Sequence, residues 1–383
     1  MKKVFAVSIA LFAVTLLFVG AYYLIFRKTG NTAIVDATKH EESRQETEKA
    51  FLEGATESDI VAVTDSAVIG ATDLDESHLT YFHGRTLMRS TLGGGAEEIL
   101  IDNLPGTAVD ASWSPDRSKV LVLLGTESGD RWHLVTLSDR KVTPLRNGIS
   151  SPKWSNLSER IYYSYTDPGT GKAELDSAKP DGTDWKKISS LTSPTSFLQT
   201  IPSSATLSFW SRPSAFEETS MSIVPATGGE PRRIFSGKFG ADYLWSPDGS
   251  KVLISNTVTK GGADVRLGIA NRDGGEFRTL LVPTIVSKAV WSKDGKTVYY
   301  ALPLSIPENS VLPNDYYNRP IHTQDSFWKI DTSTGKSERI IDPEAIGGTY
   351  DSIDPFMDQS QSYLFFTDRT SGKLFRIRLN ASS

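Results

Sequence analysis

The residue types that could carry chemistry in this chain are few and dispersed. Histidines occur at His40, His78, His83, His133 and His322, with no two spaced as metal ligands on a common helix. Each therefore reads as a solvated or packed side chain. Cysteine is absent, which removes disulfides, zinc thiolates and thiol nucleophiles. No Gly-x-Ser-x-Gly elbow, Gly-x-x-x-x-Gly-Lys-Ser/Thr loop or His-Glu-x-x-His helix occurs in the sequence. Gly93-Gly94-Gly95 and Gly169-Thr170-Gly171 fall at expected turns and open no helix, so neither is a phosphate cradle. Catalytic residues, metal ligands and cofactors are accordingly not expected. Asp110 and Asp242 each stand three residues before a tryptophan, a place from which a carboxylate can reach the central channel of the fold derived below. There it is either a functional group or one solvated in the tunnel or capping a neighbouring backbone.

Recognition chemistry is concentrated in one segment, Pro303 to Asp325 (PLSIPENSVLPNDYYNRPIHTQD). Four prolines stiffen it, while Tyr316, Tyr317, Arg319 and His322 are groups that contact a partner at low entropic cost. Two readings follow: a partner-binding loop, or a loop folded back over a channel mouth or adjacent blade with both tyrosines packed.

The elements that position these residues come from a repeat. Trp113-Ser-Pro-Asp-Arg117, Trp245-Ser-Pro-Asp-Gly249 and Trp291-Ser-Lys-Asp-Gly295 are one motif, each followed by a β-rich run such as Lys119-Val-Leu-Val-Leu-Leu124. Trp154-Ser-Asn-Leu-Ser158 is a degraded fourth copy, and Thr72, Thr200 and Phe356 keep the same spacing to a following strand. Successive gaps between the seven positions are 41, 41, 46, 45, 46 and 65 residues, the last lengthened by the insertion. A period of about 40–50 residues with four short strands per unit marks propeller blades. Ser-Pro-Asp-Gly fits a type I turn, and the tryptophan offers a large apolar face between neighbouring blades. The expected units lie near 66–103, 107–147, 149–190, 195–236, 240–283, 286–342 and 350–380.

The last unit ends after its third strand, whereas Asp59-Ile-Val-Ala-Val-Thr64 is a spare strand ahead of the first unit. Pairing of Asp59–Thr64 with Leu374–Leu379 would complete the final blade and remove an exposed edge. The fold class is thus all-β, a seven-bladed β-propeller over residues 58–383 closed by its N-terminal strand. The Trp-Ser-Pro-Asp-Gly repeat, with its following Lys-Val-Leu strand and the turn Asp273-Gly274-Gly275, resembles the TolB-like propeller repeat. That family shares its blade with the propeller domains of prolyl-oligopeptidase-type enzymes, whose catalytic α/β domain is not found here. The resemblance implies blade type, not site.

Ahead of the propeller, Val4 to Phe26 is uncharged and almost wholly apolar. At about 1.5 Å per residue it makes a helix of roughly 34 Å, long enough for a hydrocarbon core of about 30 Å. A cleaved signal peptide would have a shorter apolar region. Lys2 and Lys3 precede the run and an acidic segment follows, which favours the N-terminus inside and the body outside. Residues 1–28 are thus expected to be a single-pass anchor in the cytoplasmic membrane, and 29–57 an acidic polar stalk with Glu41, Glu42, Glu46, Glu48 and Glu53. Net charge is -5, from 41 Lys and Arg against 46 Asp and Glu, which argues against a nucleic-acid partner. The expected function is a non-enzymatic binding or scaffold module on the extracytoplasmic side, its partner an envelope or surface protein, peptide or glycan. The alternative is a channel-centred, metal-dependent hydrolase or lyase.

Overall fold

The computed structural model describes residues 60–192, 196–262, 264–318 and 321–379. The expected anchor and stalk lie outside them, and no helix among the described residues is long and apolar enough to cross a membrane.

Seven four-stranded antiparallel sheets follow one another along the chain, giving an all-β, seven-bladed propeller. Blades 1 to 6 span Ile69–Ile101, Thr107–Pro144, Ile149–Ser190, Ser196–Phe235, Phe239–Thr279 and Ala289–Arg339. Blade 7 takes Ser352–Met357, Tyr363–Asp368 and Leu374–Arg378 from the C-terminus and Ile60–Ala62 from the other end. Ile60, Val61 and Ala62 pair antiparallel with Ile377, Arg376 and Phe375. The join continues as Val63 N–H donates to Leu374 O (2.8 Å) and Leu374 N–H to Thr64 Oγ1 (3.0 Å).

Blades stack face to face through their apolar side chains. Leu253, Leu267 and Ile269 of blade 5 meet Val298, Tyr300 and Ile330 of blade 6, all buried. Phe82 and Leu87 of blade 1 meet Val120 and Val122 of blade 2 in the same way. Each such side chain stabilises by about 1.5–3 kcal/mol on burial. The tryptophans add direction. Trp113 Nε1 donates to Gly70 O (2.8 Å), Trp154 Nε1 to Ser112 O (2.7 Å) and Trp291 Nε1 to Leu244 O (3.2 Å), in each case on the innermost strand of the preceding blade. Thr200, where blade 4 has lost its tryptophan, makes the same kind of link with its hydroxyl, to Trp154 O at 2.7 Å.

The motif forms the expected turn. Arg117, Gly249 and Gly295 N–H bond to the carbonyls of Ser114, Ser246 and Ser292, three residues earlier. Ser114 and Ser246 hydroxyls donate to Asp116 and Asp248, which holds both carboxyls down at about 2. Gly249 and Gly295 have φ of 66° and 65°, and Arg117, in the glycine position, has φ of 58°.

That strain alone would make Arg117→Gly stabilising, but Arg117 also spans two blades: Nε donates to Asp73 O (3.0 Å) and Nη2 to Asp73 Oδ1 (2.8 Å). The ion pair is partly exposed and adds little by charge alone. Relief of strain and loss of the bridge therefore oppose each other in Arg117→Gly, whereas Arg117→Ala loses the bridge and keeps the strain. We predict that the alanine variant is the less stable of the two by about 1 kcal/mol. Equal midpoints in urea unfolding would show that the turn is not strained at residue 117.

Candidate functional site

The Pro303–Asp325 insertion leaves blade 6 between its second and third strands, on the face that carries the links between blades. From there it reaches three other blades. A short helix, Asn314–Asn318, forms its centre. On blade 4, Ala215 N–H donates to Asn314 Oδ1 and Arg212 Nη2 to Asn318 Oδ1, both at 2.7 Å. On blade 5, Pro313 lies so close over Gly240 that a Cβ there would stand 2.7 Å from Pro313 Cδ. Tyr317 hydroxyl donates to Asp242 Oδ2 at 3.3 Å. On blade 7, Tyr316 hydroxyl donates to Asp351 Oδ1 (2.7 Å), and Arg369 donates to the carbonyls of Tyr316 and Ile321 (both 2.6 Å) while its guanidinium lies 4.2 Å above the Tyr316 ring.

Of the residues singled out for recognition, Tyr316 is buried, Tyr317 is half-buried on Asp242, and His322 is half-exposed, 3.6 Å from Asp351 Oδ2. Arg319 lies outside the described residues. The tyrosines thus hold the insertion against the propeller, and the surface it offers to solvent is made by other side chains. The long gap before Phe356 has a second cause as well, since the link from Arg339 to Ser352 includes a helical turn at Pro343–Ala345.

The latch centres on Lys288, which is 1% exposed. Its ammonium donates to Asp325 Oδ2 (2.6 Å), Asp351 Oδ1 (2.7 Å), Thr323 Oγ1 (3.0 Å) and Ser352 O (3.0 Å). The two carboxylates are also bonded by the Ser352 N–H and by the Thr323 and Tyr316 hydroxyls. For Asp351, burial raises the carboxyl, but Lys288 and the hydroxyl donors prevail and hold it below its ordinary value. For Asp325 burial prevails over Lys288, and the carboxyl is held above it. No sequence motif marks this cluster. Its one trace is a lone lysine within the apolar run Ile285–Trp291.

A second group of charges lines the channel. The innermost strands of neighbouring blades approach one another around it, and five of them carry β-bulges, at 69/72, 108/110, 150/153, 239/242 and 353/356. A bulge re-aims a side chain, and Asp110, Lys153, Asp242 and Asp354 all sit at one. Crowding by the surrounding ring pushes Asp110 and Asp354 up although both side chains stay exposed to the channel; their mutual repulsion adds to the shift of Asp354, and Lys153 opposes both. Asp242 is likewise pushed up by burial, against bonds from Tyr243 N–H, Trp210 and Tyr317. Among the described residues no three His, Asp or Glu side chains are grouped to hold a metal ion.

No family model and no curated sequence matches the chain. Solved structures do. An oligogalacturonate lyase in complex with manganese aligns over 86% of this chain and 95% of its own length, at 14% identity and a TM-score of 0.60. The β-propeller domain of the Trilobed protease from Pyrococcus furiosus, described as having an open velcro topology, aligns over 82% and 94%, at 14% identity and 0.52. TolB from Acinetobacter baumannii aligns over 70% of this chain and 64% of its own, at 16% identity and 0.47. TolB thus stands among the neighbours, while the propellers of enzymes, at TM-scores of 0.60 and 0.52, carry the likeness of fold. Identities this low speak to the fold alone.

Lys288→Met leaves two buried carboxylates without their ammonium. The expected loss is about 3–5 kcal/mol, the cost of breaking one side of a buried ion pair. Protonation neutralises the stranded carboxyls, both of which shift upward once Lys288 no longer holds them down, so the deficit should shrink as pH falls from 7 to 5. Thermal melts of both proteins at the two pH values check this. A deficit of constant size would mean that Asp325 and Asp351 are not stranded by the substitution.

Proposed function

We propose that this chain is a non-enzymatic binding module, held to the cell membrane by Val4–Phe26, which presents the link-bearing face of its propeller to an extracytoplasmic protein, peptide or glycan of the envelope. One observation carries the reading. Phe216, Val258, Leu281 and Leu304 are 51%, 49%, 73% and 56% exposed, and all four lie in loops or links of blades 4, 5 and 6 on the face occupied by the insertion. Four large apolar groups on this face of a rigid disc, against Leu157 and Trp185 in turns of the other, favour a partner that covers them. The insertion braces the loops that carry them through bonds to blades 4 and 7, so the surface is pre-organised. The basic flanks Lys2, Lys3, Arg27 and Lys28 support the anchor, and Lys2, Lys3 and the acidic segment that follows support the outward orientation, against Arg27 and Lys28.

A channel-centred enzyme is the second reading, favoured by the elevated pair Asp110 and Asp354 beside Lys153. A manganese-bound oligogalacturonate lyase shares the fold. Lys153 opposes this reading chemically, because its ammonium competes with a divalent cation for the same carboxylates.

Cross-linking and pull-down from intact membranes separates surface from background. Partner recovery should fall for Phe216→Asp with Leu304→Asp and stay unchanged for Leu157→Asp, which alters a residue 77% exposed in a turn on the opposite face. Equal recovery from all three proteins would sink the binding-face reading. Titration with manganese(II), followed by electron paramagnetic resonance, addresses the second. No binding that depends on Asp354 is expected, and binding lost in Asp354→Asn would restore the enzyme reading.

A further inference from the structure

The outer edge of blade 5 is left incomplete beside the insertion. The blade's third strand, Val265–Asn271, pairs with only two residues of a fourth strand, Arg278 and Thr279. Pairing persists a little further: Leu280 N–H donates to Leu267 O, and Leu267 N–H to Val282 O, both at 2.8 Å. It then stops. Pro283 has no N–H to give, and Thr284 turns away to bond blade 6, its hydroxyl donating to Ala301 O at 2.7 Å.

The register shows what this leaves behind. Val258 N–H donates to Asp264 O, so residue 264 faces the second strand and Val265, opposite Thr257, faces the other way. Leu267, two residues on, points its N–H and C=O to the outer side, which sets the same direction for Val265. Among the described residues no partner is found for the Val265 N–H or C=O. Val265 itself is 4% exposed and borders a cavity of about 350 Å³ lined by Asp264, Val265, Arg266, Leu281, Pro283 and Ile306. That volume lies at the small end of ligand pockets, about 300–1,000 Å³. Leu281 stands at its rim, 73% exposed and with φ of 54°, a costly conformation for leucine. The charged ends of Asp264 and Arg266 also have no hydrogen-bond or ion-pair partner among the described residues.

We propose that this groove binds a short peptide in extended conformation, which continues the missing outer strand of blade 5 through paired main-chain hydrogen bonds to Val265. The inference deepens the binding-module reading and rests on it. A main-chain donor and acceptor offered from one residue, at strand spacing, match the N–H and C=O of a single peptide residue; sugar hydroxyls carry no such fixed pair. Leu281, Pro283 and Ile306 supply the apolar walls for one peptide side chain. Arg266 and Asp264, on the opposite side of the strand, suit polar or charged neighbours of either sign. Edge addition of this kind takes affinity from the backbone and specificity from the flanking pockets.

The test uses the full-length chain and an array of acetylated, amidated heptapeptides. Each carries a central Val, Leu, Ile, Phe or Trp flanked by Ser, Thr, Lys or Glu. Apolar-centred members should bind, and two changes should each weaken them by about tenfold or more: Leu281→Asp in the protein, and N-methylation of the central residue in the peptide. Aspartate tolerates the left-handed conformation better than leucine, so this variant keeps the fold, and its unfolding midpoint should equal or exceed that of the parent. Binding that survives N-methylation would overturn strand addition, and failure of every array member to bind would overturn the groove as a peptide site. Should the array fail while partner recovery still depends on Phe216 and Leu304, the binding module stands and only this site falls. Loss of both would remove the module itself.

Discussion

The whole architecture depends on the packing of each blade against the one before it. A four-stranded sheet of this size cannot bury its apolar faces on its own, so seven of them must stack, and the stack must turn by the same angle each time. The ring nitrogen of Trp113, Trp154 or Trp291, seated on the innermost strand of the preceding blade, sets that angle where the strands lie closest to the axis. Apolar burial supplies most of the stabilisation, but it has no direction. The hydrogen bond does, and Thr200 keeps it to the preceding blade without a ring, whereas Phe356 keeps a ring without a donor.

On that frame, the two ends of the innermost strands have different tasks. At the motif end, serine, aspartate and glycine close tight turns, and the chemistry is spent on the backbone. At the other end, the links and the insertion gather charges that come from distant parts of the chain. Lys288 draws Asp325 and Asp351 to itself from blades 6 and 7, and Tyr316 and Arg369 complete the enclosure. The insertion is consequently a brace that ties blades 4 to 7 on one side of the ring. The channel charges Asp110, Lys153 and Asp354 lie on blades 2, 3 and 7, mostly toward the side it leaves uncovered.

Blade number and closure were legible because their signals are local. A turn motif needs five residues, and a degraded copy still keeps its distance to the next strand. The spare strand at residues 60–62 could be found by counting what the last sheet lacked. The offset of three from tryptophan picked out Asp110 and Asp242, but Asp354 stands two residues before Phe356, with the bulge at 353/356 beside it, and a fixed offset passes over it. The exit point of the insertion followed from its position between strands. Its landing place did not, because that is decided by contacts such as Asn314 with Ala215, 99 residues apart. The Lys288 cluster was hidden for the same reason. Three segments, none with a pattern of its own, meet only when the ring has formed, and the unfinished edge at Val265 is visible only once strand register is known.

The shared seventh blade has a consequence for how the protein is made. Thr64 and Leu374 are bonded across 310 residues of chain. At a synthesis rate of about 5–20 residues per second, the opening strand waits roughly 15–60 s for its mate to leave the ribosome. Six blades can assemble in order during that time while Ile60–Ala62 remains bare. Until then a neighbouring nascent copy, carrying the same final strand, is as good a match as the chain's own. Crowding on the ribosome would thus favour exchanged dimers, and spacing between ribosomes would favour the sealed monomer.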